Sequence, residues 1–474
     1  MRYTLDEVSK RTEWLRDGKY GVMMHFLGGY AESDESWDAR VDAFDCEGLA
    51  DQLASAGAAW LQFTVSQTGG RFCMPISSYA VELAKIGERK RLCSRRDLIA
   101  DLSEALDKRG IKLVLYVAYE CPVVNELRAA YNFVGKNGCG RAYLDDGSQQ
   151  RYWDMLREIS LRYGKKIYGW WVDGCYGYED FPTTDKAKML ADTLRAGNPE
   201  VALSFNSGIS MARESDYQDY TTGEENDLEF FPEGRFTDGM QWHALTYLGP
   251  WWSESKCSRS TKEIARYVKI CTERGGAVTI DVSYDTAGHI VPEHFNQLCA
   301  INDTVRRGAD PETLADDTEY SASMAALPVP DEIPSGCEDI AAGKAFTCLL
   351  SENIGQLVAE PTDGNPDTCW IREVREYKPL LQLDLGAVYK ITAAKLTGNG
   401  SNNMERRNFA LTASNDPDFG TQTELLVQGA FPNKKGAYWA KTLESPVEAR
   451  YVRLYGGGKF TYIHINGINI YIKK

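Results

Sequence analysis

The chain has 474 residues, and 53 Lys and Arg against 68 Asp and Glu leave a formal net charge of -15. With 43% hydrophobic and 26% charged residues, wholesale disorder is excluded, and the length suits two or three domains. The acidic balance argues against a nucleic-acid partner or an anionic membrane surface, since either would want a basic face.

Aromatic residues are plentiful, with 11 Trp and 26 Tyr. Such rings stack on the apolar faces of sugars, and they also fill large cores. The 12 cysteines form no CxxC pair and have no closely spaced histidine, which speaks against zinc and for free thiols in a reducing compartment. The opening MRYTLDEVSKRTEW has no apolar h-region, and no stretch approaches a membrane span. The expectation is a cytoplasmic protein without membrane insertion, or a secreted or periplasmic one if a signal peptide has been removed.

In chain order, β-rich runs alternate with helical patterns. The runs are YGVMMHF (20–26), AWLQFTV (59–65), KLVLYV (112–117), KIYGWWVD (166–173), VALSFN (201–206), YQDYTTG (217–223), QWHALTYL (241–248) and AVTIDVS (277–283). Between them, CEGLADQLASAG places Leu49, Leu53 and Ala56 on one face. SRRDLIADLSEALDKRG opens with Ser94 as the expected N-cap and closes at Gly110. SQQRYWDMLREISLRYG, TDKAKMLADTLRAG, SRSTKEIARYVKICTERGG and VPEHFNQLCAINDTVRRG are the further helices. Eight strand candidates alternating with helices predict a (β/α)8 TIM-like barrel over 1–308. A doubly wound open sheet competes, but no GxGxxG or P-loop follows a strand.

From Gly308 the pattern is lost in a Pro-, Ala- and Asp-rich stretch, read as a linker over 309–337. The runs LLQLDLG, YKITAAKLTG, NFALTASND, ARYVRLYGG and INGINIYIKK follow, with no helical period. They predict an all-β sandwich or jelly roll over 338–474.

In a barrel, chemistry sits at the C-terminal ends of the strands. Those ends offer His25, Gln67 with Thr68, Tyr119 with Glu120, Asp173 after Trp170 and Trp171, Glu224 with Glu225, Trp242 and His243 with Trp251 and Trp252 beyond, and Asp281 with Asp285. Two carboxylates on separate strand ends, ringed by aromatics, suit glycoside hydrolysis. Asp173, after an apolar strand and before a Gly, is the nucleophile candidate, although an aspartate there can also hold a loop. His289 and His294 read as surface residues. No HxH or HExxH motif marks a metal site.

These residues resemble glycoside hydrolase family 29, the retaining α-L-fucosidases. WLRDGKYGVMMHFLGGY is similar to the family's opening segment, and FDCEGLADQLASAGAAWLQFTV to the stretch before the second strand. YGKKIYGWWVDG is similar to the nucleophile strand, and KEIARYVKICTERGGAVTIDVSYDTAGHIVPE to the late segment. The resemblance implies Asp173 as nucleophile, His25 as a sugar contact and Trp171 as the aromatic two before the nucleophile. DYTTGEEN, with Gly223 in place of a Pro, points to Glu224 as acid/base, with Glu225 next.

The chain departs from the family in two places. The usual His-His-Asp-Gly-Phe reads Gln67, Thr68, Gly69, Gly70, Arg71, Phe72, and Asn-Xaa-Arg becomes Asn206, Ser207, Gly208. The sugar-contacting Arg is then missing unless Arg213 replaces it. Gln67, Thr68, Tyr119, Glu120, Trp242, His243 and Trp252 complete the expected substrate wall.

AEPTDGNPDTCW, LLQLDLG, ARYVRLY and INGINIYI resemble a discoidin, or factor 5/8 type C, module, also called carbohydrate-binding module family 32. Such modules often carry a structural calcium, though Gly467 stands where the family usually has a Glu. Loop residues Tyr438, Trp439 and Arg406 are the expected sugar contacts there.

The expectation is an exo-acting, retaining glycosidase that removes a terminal sugar from glycans, α-L-fucose first, with no cofactor. A glycosidase of changed specificity, for example for a galactose-type sugar, and a carbohydrate-binding protein with a degenerate site are the alternatives.

Overall fold

The computed structural model describes residues 3–27, 31–67, 71–85, 87–119, 133–135, 142–144, 146–175, 184–206, 208, 213, 215–224, 228, 230–315, 330–350, 361–364, 370–373, 377–398, 409–427, 438–457 and 462–474. The chain divides into two compact units, Met1–Val134 with Ala142–Met324, and Gly135–Arg141 with Ala325–Lys474.

The first unit is a TIM-like α/β barrel. Its parallel strands are β1 (Tyr20–Met24), β2 (Trp60–Ser66), β3 (Lys112–Ala118), β4 (Ile167–Asp173), β5 (Ala202–Phe205), β6 (His243–Tyr247) and β7 (Ala277–Asp281). They lie in the order β6-β7-β1-β2-β3-β4-β5. The strands are buried along almost their whole length, because helices cover one face and the barrel interior fills the other.

The expected strand at 217–223 does not form. The segment 219–224 lies between β5 and β6 and joins them through separate contacts: Asp219 N–H donates to Leu203 O, and Leu245 N–H donates to Gly223 O. Side chains take over the remaining ladder bonds. Asp219 Oδ2 accepts from Leu203 N–H at 3.0 Å, and Thr221 Oγ1 accepts from His243 N–H at 2.7 Å. A backbone whose neighbours are bonded by side chains has no regular ladder to join. Asp219 is itself fully buried and paired with Arg11 and Arg195 at 2.8 and 2.5 Å.

Helices α1 (Leu5–Gly18), α2 (Asp34–Asp42), α3 (Cys46–Ser55), α4 (Ser77–Lys85), α5 (Leu98–Asp107), α6 (Asp146–Tyr163), α7 (Thr184–Leu194), α8 (Thr261–Glu273) and α9 (Pro292–Arg307) accompany the strands. The N-cap of α5 is Asp97, whose side chain accepts from Ala100 N–H, and not Ser94. Ser94 is tied up elsewhere, its N–H donating to Phe72 O and its hydroxyl to Arg96 O. Gly110 closes the following turn at φ 69°, as expected.

Two apolar clusters hold this unit. The larger lies between sheet and helices. The smaller fills the barrel interior with Met23, Trp60, Val114, Tyr116, Trp171, Tyr220 and Leu245, and Leu15 of α1 joins it. Trp60 explains Gly21: a Cβ there would fall 2.4 Å from the indole ring.

The second unit is the antiparallel β domain: β8 (Cys337–Asp339), β9 (Phe346–Cys348), β10 (Trp370–Glu373), β11 (Lys378–Gly398), β12 (Ala410–Ser414), β13 (Thr423–Val427), β14 (Tyr438–Gly456) and β15 (Tyr462–Lys473). The order is β8-β15-β11-β14-β12-β13, with β9 on β11 and β10 on β15. LLQLDLG and YKITAAKLTG are thus one strand of 21 residues. Register shifts at Asp384/Tyr389 and Ile391/Ala393 break its pairing with β14, the kind of irregularity that lets a long strand turn between the layers of a sandwich.

Trp439 is buried in this unit's core, so it is not the expected loop contact. Tyr438 is exposed beneath the Lys395 ammonium, and Arg406 lies outside the described residues. Among the described residues no three His, Cys, Asp or Glu side chains converge. Gly467 itself has no side-chain oxygen to offer a calcium ion.

Candidate active site

Side chains alternate along a strand, so the barrel's interior cluster dictates which residues face its mouth. Val114 and Tyr116 share one face of β3, and Trp171 and Asp173 share one face of β4. The mouth-facing ends are His25, Gln67, Tyr116, Asp173, Asn206, Glu224 and Asp281. A shift in β2–β3 pairing between Thr64 and Ser66 immediately precedes Gln67, where an irregularity re-aims the chain.

Asp173 is held from both sides. Its Oδ2 accepts from Tyr116 O–H at 2.6 Å and from Gln67 Nε2–H at 3.1 Å. Its Oδ1 accepts from Gly174 N–H at 2.9 Å and Asn206 Nδ2–H at 2.7 Å. Gly174 sits at φ 81°, which lets the chain turn directly after the strand. Tyr116 lies flat on Trp171, ring centroids 5.0 Å apart.

The same Asn206 nitrogen donates to Glu224 Oε1 at 2.5 Å. Two oxygens 2.7 and 2.5 Å from one nitrogen can be no more than 5.2 Å apart. Asp173 and Glu224 are therefore a pair bridged by one amide. Glu224 is 9% exposed.

His25 forms the opposite wall. Its Nδ1 lies 2.6 Å from Asp281 Oδ1, and Asp281 Oδ2 accepts from Ser253 N–H at 2.6 Å. Asp281 is buried. The His25 ring packs against Tyr116 and Trp252, at 5.7 and 5.5 Å between centroids. His25, Gln67, Arg40, Trp251, Trp252 and Tyr284 line an open cavity of about 900 Å³.

The expected site residues thus fall into groups. Asp173, Glu224, His25 and Gln67 converge, with Trp252 beside His25 and Trp171 beneath Tyr116. Glu225, Thr68 and Glu120 lie outside the described residues. The Tyr119 side chain is buried in the larger core, while its N–H donates to Asp173 O at 2.7 Å.

Three expectations are corrected. Trp242 and His243 stand at the beginning of β6, whose mouth-facing end is Tyr247, so both are at the wrong end of the strand. His243 is enclosed between Thr221 O and Thr279 Oγ1, at 2.9 and 2.7 Å, and burial pushes its pKa down to about 4. Arg213 donates to Asp238 O and Gly239 O of the small hairpin at 236–241, which directs it away from the role of the missing sugar-contacting Arg. His294 is not a surface residue: it is fully buried, accepts from Ser283 N–H at Nδ1, and is lowered in pKa by that burial.

Sequence reasoning passes over Tyr116 and gives Asn206 no role. Tyr116 carries a usable signal, because a Tyr sharing the inward face of β3 near its C-terminal end places a hydroxyl at the mouth. Asn206 carries none, since its bridging depends on where β4 and the irregular 219–224 segment lie.

The alpha-L-fucosidase family model matches residues 6–307, and the F5/8 type C domain model matches residues 351–468. Comparison with curated proteins finds no match. Among solved structures, the chain is similar to alpha-L-fucosidase isoenzyme 1 from Paenibacillus thiaminolyticus, at 16% identity over 95% of this chain and 99% of that one, with a TM-score of 0.48. An alpha-L-fucosidase from Lactobacillus casei, in complex with its alpha-L-fucose product, matches at 16% identity over 63% of this chain and 98% of that one, TM-score 0.45. A Ruminococcus gnavus family 29 fucosidase in complex with fucose matches at 14% identity over 98% and 94%, TM-score 0.41. With a family model spanning the whole barrel, the chain belongs to the alpha-L-fucosidase family of glycoside hydrolases and carries an F5/8 type C domain later in its sequence.

Proposed function

We propose that this enzyme removes terminal α-L-fucose from glycans by a retaining mechanism, with Asp173 as nucleophile and Glu224 as acid/base. The observation that carries this reading is the amide-bridged carboxylate pair at the barrel mouth. Its bridged oxygens are no more than 5.2 Å apart, which supports the close pairing of retaining enzymes (about 5–5.5 Å) over the ~6.5–9.5 Å that leaves room for an inverting water.

In the first step an Asp173 oxygen attacks the anomeric carbon, the glycosidic C–O bond breaks, and Glu224 gives its proton to the leaving oxygen. In the second, Glu224 takes a proton from water, whose oxygen displaces Asp173. Asn206 already occupies Glu224 Oε1, so the mobile proton belongs on Oε2. The Trp and Tyr rings exclude water and offer apolar faces to the sugar. The nine free thiols among the described cysteines support a reducing compartment as the working environment.

The test is nitrophenol release from a panel of 4-nitrophenyl glycosides, by wild type and Asp173→Ala. Release from the α-L-fucoside, abolished in a folded Asp173→Ala protein, is the expected result. Undiminished turnover by that variant would remove Asp173 from the mechanism. Release only from another glycoside would replace fucose.

A further inference from the structure

The loop that follows β6, residues 248–260, brings Trp251 and Trp252 to the cavity wall. Ser258 N–H donates to Leu248 O at 2.8 Å and closes the loop at its base. Inside it, two residues other than glycine take the left-handed backbone, Ser253 at φ 58° and Lys256 at φ 73°. That backbone is unfavourable for a residue with a side chain and persists only where the surroundings hold it. Both residues are held from outside the loop. Ser253 N–H donates to Asp281 Oδ2 at the end of β7, at 2.6 Å, and Lys256 O meets His294 Nε2 on α9, at 3.1 Å. The loop is also closely packed on itself, since a Cβ at Gly249 would fall 2.1 Å from Glu254 O.

His294 is fully buried and uses both ring nitrogens on backbone groups. Nδ1 accepts from Ser283 N–H at 2.9 Å, so it carries no proton, and the neutral ring donates its one N–H from Nε2 to Lys256 O. Burial lowers its pKa and so keeps the ring in this neutral form. Three residues on, Gln297 donates from Nε2 to Arg259 O at 2.8 Å. Residues three apart share a helix face, so one face of α9 holds the far limb of the loop at Lys256 and at Arg259. The Arg259 guanidinium lies 5.7 Å over the Tyr247 ring, and Tyr247 meets Trp252 edge-on with ring centroids 4.8 Å apart. A continuous set of contacts thus runs from α9 to the aromatic wall.

We infer that His294 is a positioning residue for substrate binding: by joining Lys256 to Ser283 it holds the 248–260 loop in the strained backbone that keeps Trp251 and Trp252 on the cavity wall. Being fully buried, it touches no sugar itself. The carboxylate pair is aligned by Tyr116 and Asn206, on other strands, so the loop governs affinity and leaves the chemical step to them. The inference rests on the glycosidase reading for its substrate, but the position of the loop does not depend on turnover.

The experiment separates the two bonds of the ring. In His294→Asn the amide oxygen takes the place of Nδ1 and keeps the Ser283 bond, while the Lys256 bond is lost. In His294→Gln the amide nitrogen takes the place of Nε2 and keeps the Lys256 bond, while the Ser283 bond is lost. Each variant gives up one buried hydrogen bond, so their melting temperatures should fall alike. With 4-nitrophenyl α-L-fucoside, KM should rise about tenfold in His294→Asn with kcat within about twofold of wild type, and KM should stay near wild type in His294→Gln. In protein labelled with 5-fluorotryptophan, the 19F resonances of Trp251 and Trp252, assigned with Trp251→Phe and Trp252→Phe, should move in His294→Asn and not in His294→Gln. Gly249→Ala displaces the same loop with His294 intact and should raise KM in the same way, which keeps the test open if His294→Asn does not fold.

Equal changes of KM in the two His294 variants would overturn the inference, as would an unchanged KM in Gly249→Ala. If wild type releases no nitrophenol from the fucoside, the fucosidase reading fails, and the 19F comparison decides the loop alone. Shifts of the two loop tryptophans confined to His294→Asn support the inference, and equal shifts in both variants, or none, overturn it.

Discussion

Asn206 shows how much one amide can organise. Its nitrogen holds both carboxylates, and its Oδ1 accepts from Gly208 N–H at 2.7 Å, which fixes which end of the amide faces them. Asn206→Ala removes a donor from each acid at once, leaving the Asp173 charge and the Glu224 carboxyl without the amide that aligns them. We expect kcat to fall by about a hundredfold while thermal unfolding barely moves, a split that paired kinetics and melting curves would read. An equal loss of stability would mean that Asn206 serves the fold and not the reaction. Tyr116→Phe deletes the donor on the other carboxylate oxygen, and a fall of about tenfold in kcat/KM is expected for a single lost hydrogen bond to a charged group.

Asp173 was legible as a candidate because the pattern of an apolar strand, an acid and a glycine is local. Trp242 and His243 misled for an equally local reason. Their run of apolar residues reads alike in both directions, and nothing in it says that pairing starts at His243. The register of β6 against β7, Ala244 to Val278 and Tyr247 to Asp281, decides that Tyr247 faces the mouth.

At the scale of elements, most helices and seven of the eight barrel strands follow from periodicity and end signals. The eighth does not, because Asp219, Thr221 and Tyr220 bond through side chains and carbonyls where a ladder would run. Asp219→Ala would leave Arg11 and Arg195 as buried charges without their carboxylate, at a cost of about 3–5 kcal/mol. Chemical denaturation of the barrel unit would show it, and a change under 1 kcal/mol would mean that the guanidiniums find other partners.

The start of α5 offers a smaller test. Asp97→Ala removes the observed cap and the acceptor of Tyr163 O–H, and should destabilise by about 1 kcal/mol or more. Ser94→Ala, at the residue expected from sequence to cap, should lose less. The reverse ranking would restore Ser94 as the cap.

For the whole molecule, burial sets a pH dependence that composition does not show. His243 is pushed down to about 4 by desolvation inside the barrel, against about 6.5 in an unfolded chain. The folded state therefore resists the proton that the unfolded chain takes up. This contribution is complete above about pH 6.5 and is lost as the pH falls toward 4, by about 3 kcal/mol in all. His294, lowered by its own burial, acts in the same direction. A His243→Gln variant should show a flatter stability profile between pH 4 and 6.5, and an unchanged slope would assign the dependence elsewhere.

The sequence by itself determined the two kinds of architecture, the alternation of strands and helices, the family, and Asp173 with Glu224 and His25 as candidates. These rest on local spacing, on turn residues and on ordered segments that survive low identity. Only the tertiary structure decided that Asn206 joins the two acids, that Asp281 stands behind His25, and that Trp242, His243 and Arg213 lie away from the pair. Each of those facts depends on which strand ends meet at the mouth. That is a matter of register between segments up to 256 residues apart, as for His25 and Asp281, and no local pattern carries it.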